Sequence, residues 1–91
     1  MLTRYTDCCA ICGKLEHETH HLVFGRGKRP LADQDELTLE LCREHHEFMH
    51  KNDKVSKIIG QLAYERDKCA QGYGVDAARE SFRIRYGKSY L

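Results

Sequence analysis

Two short pairs of soft ligands, Cys9-x-x-Cys12 and Cys42-x-x-His45, constrain this chain more than any other feature. A Cys₃His set at two-plus-two spacing matches a closed, tetrahedral, structural zinc site. The short spacer lets both ligands of a pair point to one side of a turn. A metal held this way would clamp everything between Gly13 and Leu41, and its binding would form part of the folding free energy. Cys8 is an alternative to Cys9, although its gap to Cys12 is less usual, and His17 competes for the fourth position. The bland alternative is a set of small residues that fall in this order by chance.

The rest of the composition makes such a staple plausible. Ninety-one residues make one domain, spanning 1–91, and a chain of that length buries a limited core. Trp is absent and the large apolar residues are spread thinly, which is where small scaffolds turn to a metal. Five cysteines are an odd number, against a closed disulfide framework. There is no signal-peptide h-region and no apolar run for a membrane span, so the expected setting is a reducing cytoplasm without membrane association.

The order of elements reads as α+β. Residues 8–14 form a knuckle that turns at Gly13, and residues 18–24 read as a strand. Gly25 to Pro30 reads as a loop by its glycines and proline. Leu37, Leu39 and Leu41 alternate with polar residues, the signature of a half-buried strand, which runs into a helix over 43–51. Val55, Ile58, Ile59, Leu62 and Ala63 then mark one apolar face of a second helix, with Asp53 or Ser56 as its cap. Gly60 sits inside that helix at a cost of about 1 kcal/mol relative to Ala. Gly72-Tyr73-Gly74 ends it, and Cys69 is expected to face the core. Asp76 caps a last helix through about Tyr86, with Ala78, Phe82 and Arg85 turned inward.

The histidines make a second ligand set. In a helix that starts at Cys42, His46 and His50 stand one turn apart on one face, while Cys42 and His45 point to a neighbouring face. One short helix can thus serve two metals without mixing them. His20 and His21, adjacent on a strand, point to opposite sides unless a bulge intervenes. One can ligate a metal while the other reaches substrate. An all-imidazole set with open positions suits a divalent ion that does chemistry, and neutral imidazole also serves as a base near neutral pH. Two bland readings compete: ordinary surface or core histidines, and a second zinc site with no chemistry.

The charge balance restrains the nucleic-acid argument. Net charge is only +1, with Arg26, Lys28 and Arg29 clustered near Gly25 and Gly27 and a further basic set at Arg79, Arg83, Arg85 and Lys88. Local patches can contact phosphates while the total stays near zero, but so small a total argues against tight non-specific binding by a monomer.

With these motifs in place, the chain resembles the HNH nucleases (ββα-metal, or His-Me finger), particularly the zinc-knuckle type common in phages and prophages. The likeness spans Cys9 to His50 and is carried by the Cys9–Cys12 knuckle, His20-His21-Leu22-Val23 and Leu41-Cys42-Arg43-Glu44-His45-His46. It implies a zinc-tied hairpin-plus-helix core over about 8–52 and a helical extension over about 53–91. By the same resemblance, His20, His46 and His50 would hold a catalytic divalent ion and His21 would be the general base. Cys9, Cys12, Cys42 and His45 would hold structural Zn²⁺. Arg26, Lys28 and Arg29 would grip the DNA backbone. The working ion would be Mg²⁺ or Mn²⁺, and an all-His site also takes Ni²⁺ or Zn²⁺. The implied activity is metal-dependent endonuclease cleavage of DNA, with a phage or recombination protein as a further partner. The apolar C-terminal helices could also pair two subunits.

One departure stands out. The middle Asn of the family motif is missing, since the chain's one Asn is Asn52, and the 31–40 stretch is where a replacement, not identified from the sequence, would lie. That gap and the modest charge favour the alternative of a non-catalytic zinc-binding module for nucleic acid or protein. A redox role for Cys9-x-x-Cys12 lacks the βαβ context such motifs have and leaves the histidines unexplained.

Overall fold

A computed structural model describes residues 2–91. The chain runs β1 (Glu18–His21), α1 (Lys28–Gln34), β2 (Thr38–Leu41), α2 (Arg43–Lys51), α3 (Asp53–Ala70) and α4 (Val75–Tyr86), a small α+β fold. The two strands pair antiparallel, with Glu18 opposite Leu41, His20 opposite Leu39 and His21 opposite Thr38. No helix among the described residues is long and apolar enough to cross a membrane.

The first strand is shorter than its composition suggests. It stops at His21, and Leu22 and Val23 leave the sheet to lie, fully buried, against α3. The approach is close enough that a Cβ on Gly60 would sit 2.7 Å from Val23 Cγ2 and 3.1 Å from Leu22 Cβ. Gly60 is therefore a packing requirement that outweighs its poor helix propensity.

The stretch expected to be a loop is half helix. Gly25 and Gly27 take left-handed φ values of 121° and 74°, which turn the chain at no Cβ penalty, and α1 then starts at Lys28. Pro30 falls in the first turn, where its missing N–H would have had no intrahelical partner, so it does not oppose the helix. Arg26 thus lies in the turn, and Lys28 and Arg29 belong to the first turn of α1 rather than to an open loop.

Two apolar clusters hold the fold. Val23, Ala32, Leu37, Ala63, Tyr64, Phe82 and Tyr86 pack α1, α3 and α4 together, while Cys9, Leu41, Cys42 and Met49 form a smaller core beside the knuckle. The inward face of α3 matches the expected apolar stripe only in part: Ala63 is buried and Ile59 packs against the smaller core. Val55 and Leu62 are about half exposed, and the buried stripe is Ser56, Gly60, Gln61, Ala63, Tyr64 and Glu65. That stripe keeps helical spacing, and at Ser56 and Gly60 it carries small side chains where α3 passes close to Leu22 and Val23. Ser56 is a buried bridge rather than a cap, Asn52 precedes α3, and Cys69 is exposed rather than in the core. In α4 the start is Gly74–Val75 rather than Asp76. Ala78 and Phe82 face inward as expected, and Arg85 and Tyr86 both bond Asp35 Oδ2 at 2.6 Å, tying α4 to the end of α1.

Candidate metal centres

The knuckle is closed by its own backbone: the Cys9 N–H donates to Lys14 at 2.8 Å and the Gly13 N–H returns to Cys9 at 2.9 Å. A bond from the Ala10 N–H to the Glu40 carbonyl, at 2.8 Å, then fastens it to the end of β2. Cys42 stands at the N-cap of α2 and His45 in its first turn, so the second pair faces the first. Cys12 Sγ lies 3.7 Å from Cys42 Sγ and Cys9 Sγ lies 3.6 Å from His45 Nδ1. Ligands about 2.3 Å (S) and 2.0–2.1 Å (N) from a tetrahedral zinc are about 3.8 Å and 3.6 Å apart, so these two distances fit the edges of a zinc tetrahedron. The Cys42–His45 edge is tighter, at 3.2 Å.

The electrostatics agree. Burial pushes the Cys9 thiol up, but hydrogen bonds from backbone groups of Cys42, Cys12 and Ile11 and from the Cys12 side chain outweigh it and bring its pKa to about 5. The backbone of Lys14 favours a Cys12 thiolate, yet burial and the neighbouring sulfurs of Cys9 and Cys42 leave that thiol raised. Crowded thiolates of this kind resist joint ionisation until a cation joins them. Cys9, Cys12, Cys42 and His45 form a cluster that can bind a metal ion such as zinc. Cys8 lies outside it, and His17 Nδ1 is engaged instead by Glu40 Oε1 at 2.9 Å.

The second centre lies on the other side of α2. The rings of His20, His46 and His50 form a near-equilateral triangle, with centroids 5.0, 5.1 and 4.8 Å apart. One nitrogen from each lies within 4.8 Å of the others. The ligand faces of two rings follow from hydrogen bonding. The Ser56 hydroxyl donates to the Leu22 carbonyl at 2.8 Å, so its oxygen accepts from His20 Nε2–H, also at 2.8 Å. His20 Nδ1 is then a bare lone pair, buried and without a hydrogen-bond partner among the described residues. His46 Nδ1 donates to Glu18 Oε1 at 2.6 Å, which leaves its Nε2 as acceptor. That Nε2 lies 3.1 Å from His50 Nε2, close to the separation of about 3.0–3.4 Å for two nitrogens on one metal ion.

Burial, then the fields of His46, His50, His21 and Arg29, depress the His20 pKa to about 4. Burial, His46 and Arg29 also lower His50. Neutral imidazoles are the ligand form. Of the three basic residues singled out near Gly25 and Gly27, Arg29 is thus near enough for its charge to be felt at this cluster.

His21 stands apart. It projects from the opposite side of β1, about a quarter exposed, and its Nε2 lies 2.8 Å from Asp33 Oδ1 on α1. Asp33 falls within the 31–40 stretch, where a stand-in for the missing Asn was expected. Three supporting residues escaped the sequence reading: Asp33, Ser56 and Glu18. Glu18 had a signal, since it lies two residues before His20 and shares its strand face. Asp33 and Ser56 lie 12 and 36 residues from their histidines, with no local spacing to betray them.

Residues 4–64 match the family described as "Protein of unknown function (DUF968)", and the chain belongs to that family. The match takes in both ligand clusters, Asp33 and Ser56, and ends before α4. A relative in Escherichia coli (strain K12), "Uncharacterized protein YdfU", is 39% identical over 46 residues, which is 50% of this chain and 13% of the relative. The chain therefore spans about an eighth of that protein's length. No solved structure matches the present chain.

Proposed function

We propose that this DUF968 chain is a metal-dependent endonuclease that hydrolyses phosphodiester bonds in DNA, with His21 as the general base. The observation that carries the reading is the pairing of two unlike histidine environments on one strand. His20 turns a bare nitrogen into a three-imidazole cluster, while His21, one residue on, is held by a carboxylate and kept out of that cluster. A cluster of three protein ligands leaves open positions for substrate and water. The resemblance to HNH nucleases assigns the same roles to the same residues.

The chemistry follows from the hydrogen bonds. The Asp33 carboxylate accepts the His21 Nε2 proton, which leaves Nδ1 as the basic nitrogen and fixes the ring's orientation. His21 Nδ1 takes a proton from water as the water oxygen attacks phosphorus. The bond to the 3′ oxygen breaks, a 5′-phosphate results, and Asp33 stabilises the imidazolium that forms. A divalent ion bound by His20, His46 and His50 would supply charge stabilisation at the scissile phosphate and the departing oxygen. Ser56 and Glu18 hold two of those rings in the ligand tautomer. Arg29, on α1 and close enough to lower the His20 pKa, would meet the adjoining backbone charge.

The near-neutral charge of +1 supports a second reading, a non-catalytic zinc-binding module. Incubation of supercoiled plasmid with zinc-loaded protein separates the two. An endonuclease nicks the plasmid on addition of Mg²⁺ or Mn²⁺ and stops when EDTA removes the added ion. A module leaves the plasmid intact under every metal condition.

A further inference from the structure

The C-terminal segment, beyond the part of the chain that matches the family, folds back against α3. Buried Gln61 of α3 holds it there. Its Oε1 accepts from the Tyr90 N–H at 2.7 Å, and its Nε2 lies 2.9 Å from Ser89 Oγ. The segment closes one side of a cavity of about 380 Å³ lined by Asp53, Lys54, Lys57, Lys88, Ser89 and Tyr90. Three ammonium groups there face one carboxylate, and that carboxylate is already engaged by Lys57 at 3.7 Å.

The cavity is joined to the histidine cluster by ring and cation contacts. The Phe24 ring lies 4.8 Å from that of His50, and Lys57 Nζ lies 4.9 Å from the Phe24 centroid. Lys57 Nζ is also 5.6 Å from the Tyr90 centroid, and Lys88 Nζ is 5.3 Å from the same ring. The Lys57 side chain is only 20% exposed, so its ammonium is held in place rather than swinging in solvent. The path from His50 to that ammonium is less than about 10 Å, a few nucleotides at about 3.4 Å rise per strand.

We propose that this cavity is a backbone-phosphate site for the nucleic acid strand flanking the cleaved bond, with Lys54, Lys57 and Lys88 as its charge and Tyr90 as its wall. The proposal rests on the nuclease reading and extends the substrate footprint to a part of the chain outside the family match. Its lysines touch phosphate and no base edge, so it adds affinity without sequence preference. The site also lets a chain of small net charge hold a polyanion, because three of its fifteen lysines and arginines are gathered in one cavity.

The test is binding of a fluorescent duplex oligonucleotide by the full zinc-loaded chain carrying His21→Ala, followed by anisotropy across a salt series. Lys54→Gln with Lys88→Gln removes two exposed charges without opening the core. Each lost phosphate contact lowers the slope of log K against log salt by about 0.9, and weakens binding by about 8-fold at 0.1 M salt. Arg66→Gln, an exposed charge on the far half of α3, is expected to change neither quantity. An unchanged slope in the double variant, or an equal loss in Arg66→Gln, overturns the phosphate site while plasmid nicking by the wild type leaves the nuclease reading standing. Absence of any DNA binding by the parent, together with an intact plasmid under the wild type, overturns both.

Discussion

Ser56→Ala probes the link between fold and metal chemistry at a single oxygen. Ser56 is fully buried, and its hydroxyl makes 2.8 Å bonds to both His20 Nε2 and the Leu22 carbonyl. Removing it leaves a buried donor and a buried acceptor unpaired, at about 1–3 kcal/mol each. The better helix propensity of Ala returns about 0.5 kcal/mol. The net loss is about 1.5–5.5 kcal/mol, which for a domain of this size lowers the Tm by about 6–44 °C. The second consequence is chemical. Without an acceptor for Nε2–H, His20 no longer has its proton held away from Nδ1, and affinity at the three-histidine cluster falls about 10- to 100-fold. Cobalt titration reads both centres, because thiolate-to-cobalt charge transfer marks the Cys₃His site alone. Urea melts of the zinc-loaded protein give the stability. A variant that loses stability but keeps its affinity at the histidine cluster refutes the tautomer argument. One that also keeps its stability refutes the account of the buried bridge.

Other predictions follow from the packing and the titrating groups. Gly60→Ala should destabilise by up to about 2 kcal/mol, because crowding the buried Val23 and Leu22 costs more than the helix-propensity gain of about 1 kcal/mol. A stabilised variant in urea melts would contradict the contact. Stripping zinc with a strong chelator should abolish cooperative unfolding by circular dichroism, since the Cys₃His ligands join the knuckle to α2. A native spectrum in the metal-free protein would argue against it. Burial, the hydrogen bond to Asp35 and that residue's charge raise the Tyr86 phenol well above its ordinary range, and burial raises Tyr90. A raised phenol contributes in full below the unfolded value of about 10 and is lost as pH rises past it, so stability should fall above about pH 10. Tyrosinate absorbance should accordingly lag and then rise with loss of helix. Completion of the five-tyrosine titration near pH 10 in a still-folded chain would count against this.

Features governed by chemistry at short sequence range were legible in advance. Cys9-x-x-Cys12 and Cys42-x-x-His45 converge as their spacing requires, and His46 and His50 share a helix face. His20 and His21 diverge across β1 because successive strand residues alternate sides. What escaped depended on contacts across the fold. Pro30 and two glycines disguised α1, whose single buried residue is Ala32. Hydropathy pointed rightly to Ala63 on α3 but also to Val55 and Leu62, whose places on the inner face go to Ser56 and Gly60 beside Leu22 and Val23. Cys69 followed the same error, being on a helix whose inner face had in part been placed wrongly. Asp33 could be expected only as a vacancy in a motif, because nothing local to it announces a bond to His21.

The most direct test of the central claim compares wild type and His21→Ala at equal metal content. Metal analysis should find both proteins loaded alike, because His21 belongs to neither ligand cluster. Under Mg²⁺ or Mn²⁺, the wild type should nick supercoiled plasmid and the variant should lose about 10²–10⁴-fold in rate, the usual worth of a general base. Equal nicking by the two proteins at equal metal occupancy would contradict the account.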